Sequence, residues 1–116
     1  MRKLLVTLGV LLGVASGSAW ADEMTADDLF QMCNSSDRIT NRLCTRYILG
    51  VAQGLGMSQS LKTGQRICIP DNLAEGRFAN VFQATATQLS TYYPQDLKLP
   101  AISIVTASLL KAFPCR

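Results

Sequence analysis

The chain contains no histidine, and that single absence removes more chemistry than any other feature of its composition. Without an imidazole there is no Ser-His-Asp or Cys-His arrangement for nucleophilic catalysis. There is also no side chain of ordinary pKa to switch charge between about pH 5 and 8. The four cysteines, Cys33, Cys44, Cys68 and Cys115, form no Cys-x-x-Cys pair. Structural zinc sites draw on such close pairs or on histidine, and a redox dithiol needs neighbouring thiols. Metal-binding and thiol-redox roles fall away, and no cofactor is expected. No lysine follows Gly50, Gly54 and Gly56 in the register of a phosphate loop. The closest carboxylates, Asp22-Glu23 and Asp27-Asp28, read as a frayed terminus and a helix start, where capping and dipole compensation account for them. Internal repeats are missing, and no segment alternates apolar and polar residues as a strand would. An enzyme is not expected.

What is present begins with an export signal. Arg2 and Lys3 precede a mostly apolar run from Leu4 to Val14, and Ala19-Trp20-Ala21 supplies small residues where a signal peptidase reads. The expected division is a leader over 1–21, cleaved after Ala21, and a domain over 22–116. A membrane span needs about 20 apolar residues, and Gly13, Ser16, Gly17 and Ser18 interrupt this run. Cys33 follows Phe30-Gln31-Met32 and lacks the small residues that lipid anchoring requires. The expectation is a periplasmic protein with no membrane association after cleavage. In such a compartment an even cysteine count in a small domain predicts disulfides. Residues 22–116 carry nine basic against eight acidic side chains, which gives no reason to expect a nucleic-acid partner. Arg38, Arg42 and Arg46 share one helical face, read as a solvated face ahead of an anion site.

Four helices are predicted. The first starts at Thr25, an N-cap with Asp28 three residues on and with Met24 and Leu29 spaced as a staple. It ends at Cys33, before the turn Asn34-Ser35-Ser36-Asp37, whose first three residues form a glycosylation sequon only by chance in a bacterial host. The second buries Leu43, Cys44, Tyr47, Ile48, Val51, Ala52 and Leu55 at helical spacing. Gly50 and Gly54 are read as permitting a neighbour's close approach, Gly54 and Gly56 as weakening the helix end, and Met57 to Gln65 as an exposed loop. The third is capped by Asn72, buries the stripe Phe78, Val81, Phe82, Thr85 and Leu89, and stops near Tyr92 before Pro94. The fourth starts at Pro100 and buries Ile102, Val105, Leu109, Ala112 and Phe113. The fold class is all-α: a compact bundle of about four helices stapled by two disulfides.

Of the three possible connectivities, up-and-down geometry favours Cys33–Cys44 with Cys68–Cys115. The first pair joins the end of one helix to the start of the next. The second joins the entrance of the third helix to the exit of the fourth. A long loop after Gly56 could instead carry Cys68 back toward Cys44, so a second pairing stays open.

The order of these features resembles a known family. Cys33 closing a short helix is followed by Cys44-Thr45-Arg46-Tyr47-Ile48-Leu49-Gly50-Val51 and Cys68-Ile69-Pro70. Pro94 then comes after the tyrosines, followed by Leu99-Pro100-Ala101 and Ala112-Phe113-Pro114-Cys115. The set is similar to the Rap/Tai family of type VI secretion immunity proteins over nearly all of residues 22–116. The resemblance implies a small, helical, disulfide-containing periplasmic protein. It also implies a dimer that blocks the catalytic groove of a peptidoglycan amidase toxin injected by sibling cells. Ala74 departs from the pattern, standing where many relatives would place a better helix cap. The matched positions are structural, so no contact residue transfers. Two exposed loops are the candidates for the contact: Leu61-Lys62-Thr63-Gly64-Gln65 through Lys62 and Gln65, and Tyr92-Tyr93-Pro94-Gln95-Asp96 through Tyr92, Tyr93, Gln95 and Asp96. The alternatives are a periplasmic stress chaperone, whose acid-activated unfolding would expose the Phe78, Val81 and Phe82 face to clients, and an envelope accessory protein.

Overall fold

A computed structural model describes residues 23–60 and 66–115; the expected leader over 1–21, and Lys62 and Gln65 of the first candidate loop, lie outside the described residues. Four α-helices make up the described fold: α1 (Ala26–Cys33), α2 (Arg38–Ser60), α3 (Glu75–Tyr92) and α4 (Ala101–Ala112), with a 3-10 helix at Pro94–Lys98 between the last two.

α1 is short and begins on a complete capping box. The Asp28 amide donates to Thr25 Oγ1 at 3.1 Å, and the Thr25 amide donates to Asp28 Oδ2 at 3.1 Å, which satisfies two of the orphan donors of a helix start. Its far end is closed by side chains from two other places. Asn41 Nδ2 and Gln83 Nε2 both donate to the Cys33 carbonyl, at 2.7 and 3.2 Å. The turn then re-enters helix at Asp37, whose carboxylate accepts from the Thr40 amide at 2.9 Å and from the Thr40 hydroxyl at 2.6 Å. Those bonds favour the charged form, so the Asp37 carboxyl is held below its ordinary value.

The core contains Leu29 of α1, Cys44, Ile48 and Ala52 of α2, Phe78, Phe82 and Ala86 of α3, and Val105 and Leu109 of α4, together with Ile67 from the segment before α3. Phe82 sits at the centre, fully buried and edge-on to Phe30, with ring centroids 6.5 Å apart. A second edge-on pair, Phe78 and Phe113 at 5.8 Å, holds the end of α4. Phe78 and Phe82 are core, so the chaperone reading would need the acid-activated unfolding it invokes to bring that face to clients.

The ends of the chain segments are tied together. Ala26 donates to the Leu99 carbonyl and Ala101 to the Met24 carbonyl, each at 2.8 Å, so the starts of α1 and α4 lie side by side. Cys33 bonds to Cys44 and Cys68 to Cys115, the pairing that up-and-down geometry favoured. The Cys68 amide also donates to the Phe113 carbonyl at 2.9 Å, so the strap before α3 is fastened to the end of α4 twice.

Four expectations need correction. α2 runs past Gly54 and Gly56 to Ser60, so 57–60 is helix rather than loop; glycine in a helix costs about 1 kcal/mol, and the buried row on the opposite face offsets it. Leu43 is 53 % exposed, because it lies on the opposite side of α2 from Cys44, Ile48 and Ala52. Asn72 is not the cap of α3: it takes φ 69° in a turn with Asp71, a left-handed conformation that asparagine tolerates. The cap position is Ala74, which makes no side-chain bond. Finally, α4 buries Ala101, Ile104, Val105, Ser108 and Leu109, while Ile102 is 43 % exposed and Ala112 lies at the surface. The small side chains Ala101 and Ser108 face inward, and that rotates the helix away from the face its larger residues suggested.

Candidate functional site

Pro94 removes the amide that would continue α3, so the helix closes with the Tyr93 amide donating to the Leu89 carbonyl at 2.8 Å. The chain turns at once into the 3-10 helix, held by Asp96 to Tyr93 (2.9 Å) and Leu99 to Asp96 (3.2 Å) amide-to-carbonyl bonds. Leu97 is buried and pins that turn to the body. With the backbone so fixed, Tyr92 and Tyr93 stand out, 68 % and 64 % exposed.

Between this corner and α4 lies a cleft of about 370 Å³. Tyr92, Tyr93 and Asp96 form one rim, Lys111 and Gln88 belong to the same lining, and Leu89, Ile104 and Ala107 supply apolar surface. The buried Ser108 hydroxyl donates to the Val105 carbonyl at 2.9 Å in its own helix, so it presents no free nucleophile to the cleft. The arrangement suits recognition: two aromatic faces, one acidic and one basic side chain, and an apolar floor. The structure therefore brings together Tyr92, Tyr93 and Asp96 from the second candidate loop. Gln95 lies on the same turn but does not line the cleft.

On another side of α4, Ile102 and Thr106 line a more open depression of about 410 Å³ together with Tyr47, Gly50, Val51, Gly54 and Leu55 of α2. A methyl added at Gly50 or Gly54 would meet no atom within 4 Å. The expectation that these glycines admit a close neighbour is thus overturned: they flatten an outer face. Tyr47 beside them has its hydroxyl pKa pushed up, first by burial and then by the negative charge of Glu23.

Sequence reasoning missed the 3-10 turn and the role of Leu97. The apolar residue four positions after Tyr93, inside a run that begins with proline, was the available signal. Among the described residues no three His, Cys, Asp or Glu side chains cluster to hold a metal, and no helix is long and apolar enough to cross a membrane.

Residues 25–115 match the model of a family described as Rap1a immunity proteins. No curated protein and no solved structure matches the chain.

Proposed function

This chain belongs to the Rap1a immunity protein family, and we propose that it protects its host by occluding the active site of a peptidoglycan amidase delivered by type VI secretion. The match from the first cap to the last cysteine carries the reading, since it spans the whole stapled body. Family membership implies a protein toxin as partner and a role outside catalysis, and together with the two disulfides it suggests an exported protein. The proposal adds the finer points: a leader removed after Ala21, a periplasmic location, and a two-to-two complex if the protein is a dimer.

The physics of an inhibitor supports the reading. Ordering side chains and loops on binding subtracts from affinity, and a body with cross-linked helices and a pinned tyrosine corner has little left to order. Tyrosine is enriched among residues that dominate binding energy. Tyr92 and Tyr93, with Asp96 beside them, are the proposed plug.

Pull-down and titration with the toxin encoded beside this gene test the reading. Replacing both tyrosines by alanine should weaken the complex about 30-fold or more, the effect of losing roughly 2 kcal/mol at a hot spot. Expression of the protein should rescue cells from that toxin. Failure of the wild-type protein to bind or to rescue would refute the assignment.

A further inference from the structure

The outer face of α2 breaks the local rules of helix design. Arg38, Arg42 and Arg46 follow one another at i, i+4 spacing in the first half of a helix that contains no acidic residue. Like charges at that spacing oppose helix formation, and cations near a helix N-terminus oppose its dipole. Among the described residues no carboxylate pairs with any of the three. Set among them are two large apolar side chains exposed to water, Ile39 at 72 % and Leu43 at 53 %. This stretch is nevertheless firmly held: Asp37 caps it through Thr40, Asn41 bonds to the Cys33 carbonyl, and Cys44 is bonded to Cys33. A surface that is costly in local electrostatics, apolar in part and rigid in backbone is the kind found where function overrides local stability.

We propose that Ile39, Arg42, Leu43 and Arg46 form a second docking surface, for a protein partner whose face carries clustered carboxylates around an apolar recess. The inference rests on the immunity reading in taking the toxin as that partner. Arginine suits the task, because its planar fork pairs with carboxylates in two-point geometry and loses little order in doing so. Two alternatives are weaker. A second copy docked symmetrically on this stretch would set arginine ridge against arginine ridge. A lipid surface would gain only two exposed apolar side chains here, from a helix whose other side is committed to the core. The surface is distinct from the tyrosine cleft, whose lining includes none of Ile39, Arg42, Leu43 and Arg46.

The test uses the full mature protein and the adjacent-gene toxin, with association and dissociation rates measured at low and high salt. Arg42→Glu with Arg46→Glu should slow association about tenfold or more at low salt, a gap that narrows as salt rises. Leu43→Asp should act on dissociation instead, and Arg77→Glu, on the exposed surface of α3, should change neither rate. The charge-reversed variant should melt close to the wild-type temperature, since the 38/42 pair becomes opposite in charge while the 42/46 pair stays like-charged; an unchanged melt means that lost binding cannot be put down to lost fold. Unchanged rates in a toxin-binding protein would overturn this surface alone, and no binding by the wild type would overturn it together with the immunity reading. A drop from dimer to monomer mass in either α2 variant, with toxin rates intact, would reassign the face to a second copy and overturn the proposal. So would loss of binding to phosphatidylglycerol vesicles with toxin rates intact.

Discussion

Removing the two disulfides one at a time should expose two different kinds of stabilisation. The bridge between Cys33 and Cys44 closes 11 residues, that between Cys68 and Cys115 closes 47. Chain-entropy bookkeeping assigns about 2.8 kcal/mol to the first and about 4 kcal/mol to the second. Burial shifts the balance the other way. Cys33 and Cys44 are 4 % and 2 % exposed, so replacing both by alanine also takes two sulfur atoms out of the core, about 1 kcal/mol each at the usual cost per area. Cys68 is at the surface and Cys115 half-buried, so little is added there. The expected losses are therefore close, about 4–5 kcal/mol for Cys33→Ala with Cys44→Ala and about 4 kcal/mol for Cys68→Ala with Cys115→Ala. Each corresponds to roughly 15–30 °C in melting temperature for a domain of this size. The hydrogen bonds of Asn41 and Gln83 to residue 33 go to its backbone carbonyl, so they survive the substitution and do not confuse the comparison. Urea unfolding followed by circular dichroism separates the causes. Loss of the long bridge frees the unfolded chain, so the slope m should rise, whereas loss of the short one should lower the midpoint with little change in slope. A long-bridge variant with the wild-type slope would refute the unfolded-state account. A short-bridge variant destabilised by no more than about 2.8 kcal/mol, the chain-entropy share alone, would refute the contribution of the buried sulfurs.

Phe82→Ala should cost about 3–5 kcal/mol in urea unfolding, since the ring is fully buried and loses its partner Phe30. On α4, Ile104→Ala should cost about 2–5 kcal/mol and Ile102→Ala under about 1 kcal/mol; equal losses would contradict the observed rotation of that helix. Stability should be flat between about pH 5 and 8, where no histidine titrates. The Asp37 carboxyl is lowered in the fold, so its contribution is whole above the unfolded value near 3.9 and is lost as pH falls through the folded one. Asp37→Asn should blunt that acid limb in pH-dependent melting. The Tyr47 hydroxyl is raised, so stability should decline as pH climbs past about 10, and Tyr47→Phe should remove that decline.

Much of the fold was legible because the informative residues act locally. Thr25 and Asp28 satisfy each other within one helical turn, Pro94 stops α3 whatever surrounds it, and four cysteines in helix-end positions leave few geometries open. What was not legible depended on partners distant in sequence. Leu43 and Ile102 look as apolar as Ile48 and Ile104, and only the arrangement of neighbouring helices decides which of each pair is buried. Asn72 is a strong cap by type, yet the turn after Pro70 uses its tolerance for positive φ instead. Of the candidate site, the tyrosine corner could be read from Tyr-Tyr-Pro. The cleft beside it could not, because its floor comes from the face of α4 that larger side chains disguised.

The short disulfide and the arginine ridge belong to one argument. Two like-charge pairs at i, i+4 cost about 0.2–0.5 kcal/mol each. Cations near the positive end of α2 add about 0.3–1 kcal/mol more. Together they oppose the helix by about 0.7–2 kcal/mol. The Asp37 carboxylate at the cap offsets part of this, but α2 itself has no acidic residue and carries glycine at 50, 54 and 56. The bridge from Cys33 to Cys44 contributes about 2.8 kcal/mol at the same place, which is enough to hold the first two turns helical with their charges unpaired. A cross-link worth less than the repulsion would leave that segment to fray, and a helix without the arginines would have far less need of one. The staple thus does more than stabilise the domain: it lets a positively charged face stay ordered before any partner arrives to neutralise it.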